Sequence, residues 1–227
     1  MNSFLELVKK RRSVRRFKKD KVLDEHIERI LEAGRWAPSA SNSQPWEFIV
    51  VKDEEKKEKI IKYYIRQREL KREAEMTRDE EFRHYPGVSL QEPGFKSAPV
   101  FIVVIGDPRI KSACPLMTYR EKGEKHFISS LANAVLLIHL EATELGLGSQ
   151  YISDISSPYT EAMLKDLLGI PEIYEVYEMI AIGYPDEEPS IPFRRELNEI
   201  THREKYEKQK FRDDREIKEF IKNKTQK

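Results

Sequence analysis

Residues 127–145 read Phe-Ile-Ser-Ser-Leu-Ala-Asn-Ala-Val-Leu-Leu-Ile-His-Leu-Glu-Ala-Thr-Glu-Leu, the most apolar helical stretch in the chain. A helix hydrophobic over so much of its circumference has to be covered by other elements on most sides. Gly146 stands where such a helix would end. The purest part, Leu131 to Leu140, is broken by Asn133 and His139 and is too short and too polar to span a bilayer. The fold is therefore expected to wrap around one central helix, with His139 as a hydrogen-bonded core histidine.

The flanking sequence supplies the wrapping. Ser3 followed by Glu6 reads as a capping box in front of Phe4, Leu5 and Val8, and that first helix ends near the Lys9–Arg12 cluster. Asp24 is the next cap, with Ile27, Ile30, Leu31 and Gly34 at helical spacing to about 36, where Pro38 stops the run. Strands are expected at 48–51, 99–105, 149–152 and 174–183. A solvated helix covers 53–76. Ser157-Pro158 opens another that stops at Gly169. Residues 77–97 and 109 to about 125 show no period and read as loops or lids. Four strands with helices between and around them predict an α+β layered domain.

Composition narrows the function classes. Across 227 residues, 41 Lys+Arg balance 40 Asp+Glu for a formal net charge of +1, which argues against a global nucleic-acid or membrane-surface binder. The single thiol, Cys114, forms no internal disulfide and reads as a small, largely buried apolar residue. The N-terminal run has its charges after the apolar residues, so no signal peptide is expected and a cytoplasmic protein is the default. His26, His84, His126, His139 and His202 form no spaced metal pair. No nucleophile elbow or Walker-type loop occurs.

Three segments can carry chemistry. Arg11-Arg-Ser-Val-Arg-Arg16 packs four arginines and a hydroxyl into six residues. It fits either a phosphate cradle, with Arg11, Ser13 and Arg15 on one face, or a solvated basic turn. Pro38-Ser-Ala-Ser-Asn-Ser-Gln-Pro-Trp46 presents many donors and acceptors between two prolines. It suits either the edge of a heteroaromatic ring or an ordinary polar loop. Gly146-Leu-Gly-Ser-Gln-Tyr-Ile-Ser-Asp154 lets backbone approach a planar ligand, or merely caps a helix. It is not a dinucleotide fingerprint, which needs a strand before the turn.

In this order, together with Gly183-Tyr-Pro and Arg194-Arg195, the segments resemble the nitroreductase family of FMN-dependent oxidoreductases over roughly residues 3–200. The resemblance implies an obligate homodimer. Its core would be a mostly antiparallel four-stranded sheet, which the partner chain can extend, wrapped by helices. A single FMN-binding domain would span 1–200, with lid regions at about 62–97 and 109–126 and a charged tail or arm at 201–227. Two FMN molecules would sit at the dimer interface. Arg11, Arg12, Ser13 and Arg15 would hold the phosphate, ribityl chain and pyrimidine edge. Pro38, Ser39, Ala40 and Asn42 would come from the partner, with Gln44 shaping their loop. Ile152, Ser153 and Asp154 would pack near the reactive nitrogen, and Arg194 and Arg195 would add cations for the phosphate.

Ser153-Asp154 departs from branches that carry glycine there, and a carboxylate facing the ring would disfavour an anionic reduced flavin. No dedicated acid, base or nucleophile is expected, because the flavin carries the hydride chemistry. The implied function is ping-pong reduction of nitroaromatic, quinone or related acceptors by NAD(P)H. The alternatives are reductive dehalogenation on the same fold and, more remotely, a basic-patch nucleic-acid binder. Tyr63, Tyr64, Tyr85, Phe95 and Tyr119 would either stack on an aromatic substrate or pack the lids onto their own domain.

Overall fold

The computed structural model describes residues 3–80 and 92–225, with only the backbone for 222–225. The chain divides into two compact units, Met1–Pro189 and Ser190–Lys227. Residues 190–200 thus group with the charged tail, not with the expected 1–200 domain.

The first unit opens with α1 (Phe4–Lys10), whose Ser3–Glu6 capping box forms as the sequence requires. Then come α2 (Asp24–Arg35), β1 (Trp46–Val51), α3 (Glu54–Met76) and β2 (Val100–Gly106). The unit continues through α4 (Leu116–Glu144), β3 (Gly148–Ile152), α5 (Pro158–Leu168) and β4 (Glu175–Gly183). The four strands form one sheet in the order β1-β2-β4-β3, with every neighbouring pair antiparallel.

Alternation along the strands divides the core into two layers. Val100, Ile102, Val104, Ile180 and Ile182 face α2 and α4, where they meet Phe127, Leu131, Ala134 and Ile138. Phe101, Val103, Ile105, Met179 and Ala181 face the opposite side and join Ile60, Phe95, Ile155 and Leu164. Burial of both faces explains why β2 reads as an uninterrupted apolar run. Gly34 lets α2 press against α4, since a Cβ there would stand 2.9 Å from Ile138 Cγ1.

The central helix is longer than its apolar pattern. It begins at Leu116, so residues 116–125 are its first turns and not an irregular lid. These turns are rich in Lys, Glu and Arg, good helix formers that extend an existing helix at little cost without an apolar stripe. Lys111 fastens them, reaching Glu124 at 2.6 Å and lying 4.5 Å from the centre of the Phe127 ring. Residues 62–76 are likewise the continuous second half of α3. Phe95 is fully buried and meets Tyr64 edge-on, with ring centres 5.0 Å apart, so it serves the core and not a substrate. Tyr85, Pro86 and Gly87 lie outside the described residues.

The second unit holds α6 (Leu197–Ile200) and α7 (Asp214–Thr225), so the tail is largely structured. Within it Phe193 approaches Phe220, with ring centres 6.2 Å apart, and the Arg212 guanidinium lies 5.0 Å from the Phe220 ring.

Because Ile138 is wholly buried between α2 and the sheet, Ile138→Ala should lower the unfolding free energy by about 2–5 kcal/mol in urea titration. A loss under about 1 kcal/mol would mean that α4 is not the packing centre.

Candidate functional site

The basic segment leaves α1 in an extended course and is stitched to the sheet edge. Ser13 bridges Ser149 in parallel sense, and the Val14 N–H donates to the Ser149 carbonyl at 3.0 Å. Phe17 bridges Pro185 farther along. Val14 and Phe17 are buried, which turns Arg15 and Arg16 outward, while Arg11, Arg12 and Ser13 are half-buried. Gly148 is required here, since a Cβ would stand 2.7 Å from Val14 Cγ2 and push the segment off β3.

The arginines have separate tasks. The Arg12 guanidinium folds back onto the end of α1, donating to the carbonyls of Lys9 and, at 2.9 Å, Arg11. Those carbonyls have no partner inside the helix. Arg15 gives its backbone N–H to Glu187 Oε1 at 2.7 Å, and Arg16 pairs with the same carboxylate at 3.6 Å. Arg11 lies near enough to His139 for its charge to act on the imidazole.

His139 is buried in α4 with Nδ1 2.7 Å from Ser149 Oγ. Burial, with the Arg11 charge second, holds its pKa down to about 4, so it stays neutral. The sequence expectation of a hydrogen-bonded core histidine matches this position. Its further task, holding the strand that carries Ser13, has no signature in the sequence.

The loop after α2 is strained. Ser41, Asn42 and Gln44 take φ values of 52°, 51° and 45°, a left-handed conformation that costs non-glycine residues free energy and persists only where surrounding contacts enforce it. α4 supplies those contacts. Asn133 Nδ2 donates to the Pro38 carbonyl at 3.0 Å, and the Ala40 N–H donates to Ser130 Oγ at 3.3 Å. The Gln44 N–H donates to Ser39 Oγ at 3.0 Å. Buried Cys114 lies 3.5 Å from Ser41 Oγ and 3.8 Å from His126 Nδ1. Asn42 and Gln44 are exposed on the resulting turn.

Ile152 ends β3 and is buried, and Ser153 and Asp154 begin a short 3-10 turn. The Asp154 carboxylate is bound by Lys71 of α3, which gives the departure from glycine a structural partner. Lys71 escaped notice because nothing in the sequence links two charges 83 residues apart. Arg194 and Arg195 belong to the second unit. There Arg194 donates to the Phe193 carbonyl at 2.8 Å, and Arg195 pairs with Glu199 at 3.5 Å.

One chain therefore brings Arg11 and Ser13 beside β3 and its 152–154 extension, and holds residues 38–44 elsewhere. The two groups are anchored on α4 at His139 and at Ser130, nine residues apart in number. At 3.6 residues per turn this is two and a half turns, so the anchors lie on opposite flanks and about 14 Å apart along the axis. Residues 38–44 and 11–13 of one chain are thus held at separate places along α4.

A four-stranded antiparallel sheet clasped by a long central helix, with a basic segment at its edge, is an arrangement with known relatives. The sequence profile of the nitroreductase family matches residues 8–184, and the chain belongs to that family. A protein of Archaeoglobus fulgidus named NADH dehydrogenase/NAD(P)H nitroreductase is 30% identical over 83% of this chain and 88% of its own length. The iodotyrosine deiodinase of Thermotoga neapolitana is also 30% identical, over 85% of this chain and 94% of its own. A nitroreductase structure in complex with FMN from Desulfovibrio desulfuricans superposes with a TM-score of 0.65 at 26% identity, covering 91% of this chain and 99% of that one.

His139 gives a signed pH effect. Its pKa is about 4 folded against 6.5 unfolded, so its stabilising contribution is full above 6.5 and is lost as pH falls toward 4. His139→Gln should remove about 3 kcal/mol of that acid-side loss, read as a flatter unfolding free energy between pH 6.5 and 4. An unchanged slope would mean that the imidazole is already charged.

Proposed function

We propose that the chain is an FMN-dependent oxidoreductase that uses NAD(P)H to reduce nitroaromatic, quinone or related acceptors. Two equivalent sites would be shared between the subunits of a homodimer. The observation that carries this reading is the division of the polar segments between opposite flanks of α4. A flavin seated against Arg11 and Ser13 of one protomer would be completed by residues 38–44 of the partner. Exposed Phe4, Leu5 and Val8 of α1, Trp36, and Ile128 and Leu136 of α4 supply apolar surface that a second copy would cover.

The donor set suits the group. A phosphate carrying nearly two negative charges is matched by half-buried Arg11, at the end of α1, and by the hydroxyl of Ser13, whose backbone pairs with β3. Asn42 and Gln44, held outward by a strained turn, offer amides with both donors and acceptors to a ring edge. With Asp154 engaged by Lys71, the 152–154 turn presents a neutralised carboxylate. When bound, FMN supplies the hydride chemistry, and the chain's own residues bind, orient and exclude water. One pocket would serve reductant and acceptor in turn, giving ping-pong kinetics.

A second reading, reductive dehalogenation, is supported by the deiodinase-named relative and by α3, which runs 23 residues and carries Tyr63, Tyr64 and Lys71. Tight binding of a halogenated phenol with feeble nicotinamide oxidation would favour it.

The purified protein should show oxidised-flavin absorption that bleaches anaerobically with NADH or NADPH. Arg11→Ala should weaken FMN retention about 10- to 100-fold, the worth of a charge-assisted hydrogen bond, while leaving the unfolding midpoint near wild type. Unchanged flavin content in that variant would contradict the phosphate placement.

A further inference from the structure

Behind the edge of the sheet lies a polar pair that the reading above does not use. Glu178 sits in β4 with 5% of its surface exposed, and its Oε2 is buried with no hydrogen-bond partner. A carboxyl in that setting is costly unless it keeps a proton or finds a donor. The local strand geometry explains how it comes to be there. Val104 of β2 pairs with Glu178 while Ile105 pairs with Val176, so Tyr177 is an extra residue in β4. The bulge re-aims the strand. It leaves Tyr177 packed against the core layer beneath α4, and Glu178 opposite Val104 of that same layer.

Tyr151 of β3 completes the pair. It pairs with Ile180 of β4, so Glu178, two residues along on the same face, is its diagonal neighbour, and the Tyr151 hydroxyl acts on the Glu178 carboxyl. Alternation puts Tyr151 on the same face as Ser149, two residues back or about 7 Å along the strand. Ser149 is the residue that bridges Ser13. The Tyr151 ring centre lies 6.1 Å from that of His139, and Tyr151 is 42% exposed. It therefore connects the buried carboxyl to the side of the sheet where the basic segment is held.

The groups around Glu178 are Tyr151 from β3, Tyr177 on its own strand, Val104 on β2, and Asp154 beyond the end of β3. Asp154 is itself bound to Lys71 from α3, and neutral His139 of α4 stands past Tyr151. Desolvation, opposed by the Tyr151 hydrogen bond and aided by the Asp154 charge, lifts the Glu178 carboxyl to about 7. Burial and the Glu178 side chain also raise the Tyr151 phenol above its ordinary value. Below about pH 7 both groups hold protons.

We propose that Tyr151 and Glu178 form a proton relay for the acceptor, with Tyr151 as the donor in contact with it and Glu178 acting through Tyr151. The proposal rests on the reading of the site as an NAD(P)H-dependent reductase. Reduction of a quinone needs two electrons and two protons. The nicotinamide supplies a hydride's two electrons and one proton, and the second proton must come from water: NAD(P)H + H⁺ + quinone gives NAD(P)⁺ + hydroquinone. In the relay the Tyr151 O–H bond breaks as the acceptor oxygen gains that proton. Glu178 returns a proton to the phenolic oxygen, and solvent reprotonates the carboxylate.

The test compares wild type, Glu178→Gln and Tyr151→Phe as holoproteins, with 1,4-benzoquinone as acceptor. Infrared difference spectra should show a protonated carboxylic acid near pH 6 that Glu178→Gln lacks. Because the folded pKa of about 7 exceeds the model value of 4.5, wild type should lose stability relative to Glu178→Gln as pH rises from about 4.5 through 7. Both variants should keep their flavin and reduce the quinone at least tenfold more slowly at pH 7. Only the wild-type rate should fall on an alkaline limb near 7. If Glu178→Gln does not fold, Tyr151→Phe carries the rate and profile test, and the wild-type acid band carries the other. Flavin retention with an unchanged rate and profile, or no acid band in wild type, overturns the relay alone. Absence of flavin from wild type overturns the reading of the site, and the relay with it.

Discussion

Ser130, Asn133 and His139 are polar residues within the apolar stretch of α4, and the arrangement of the first unit depends on what they hold. Between them lies the face formed by Phe127, Leu131, Ala134 and Ile138, buried against α2 and the sheet. On one flank Ser130 and Asn133 fix a loop that would not keep left-handed φ values at three non-glycine positions by itself. On the other, His139 holds Ser149 and with it the strand to which Ser13 is bridged. One hydrophobic helix thus sets the position of both polar segments, and their separation follows from helix geometry.

Electrostatics is consistent with that division. The cation at Arg11 sits near a histidine that burial keeps neutral, so the two do not repel as like charges. Asp154 is matched by Lys71, and Arg16 pairs with Glu187, which also takes the Arg15 backbone N–H. The half-buried Arg11–Ser13 segment at the sheet edge is a setting in which an anion meets charge and backbone order together.

The elements legible in the sequence were those whose burial is one-sided or complete. β2 declared itself by an unbroken apolar run, the 127–145 core of α4 by its circumference, and α1 by a capping box. The basic segment and the Pro38–Trp46 loop were found because their residue types are dense and locally spaced. The rest needed long-range pairing. Residues 116–125 look solvated because their neighbour, the Lys111 turn, contributes charge and not apolar surface. Phe95 resembles a lid aromatic until Tyr64 and Phe101 close around it. Lys71 and Glu178 meet Asp154 and Tyr151 only through the fold, and Tyr177 becomes a bulge only through its register with β2.

The central claim is that one flavin site is built from residues 11–13 of one protomer and residues 38–44 of its partner. Flavin content in mixed dimers tests it most directly. Arg11→Ala and Asn42→Ala are each to be prepared alone, then unfolded together and refolded as a mixture. A dimer holding one of each keeps one intact composite site and spoils the other. The account predicts flavin-poor parents and recovery of about one FMN per mixed dimer. Parents that both lose flavin and a mixture that recovers none would mean that the two segments serve a site within a single chain.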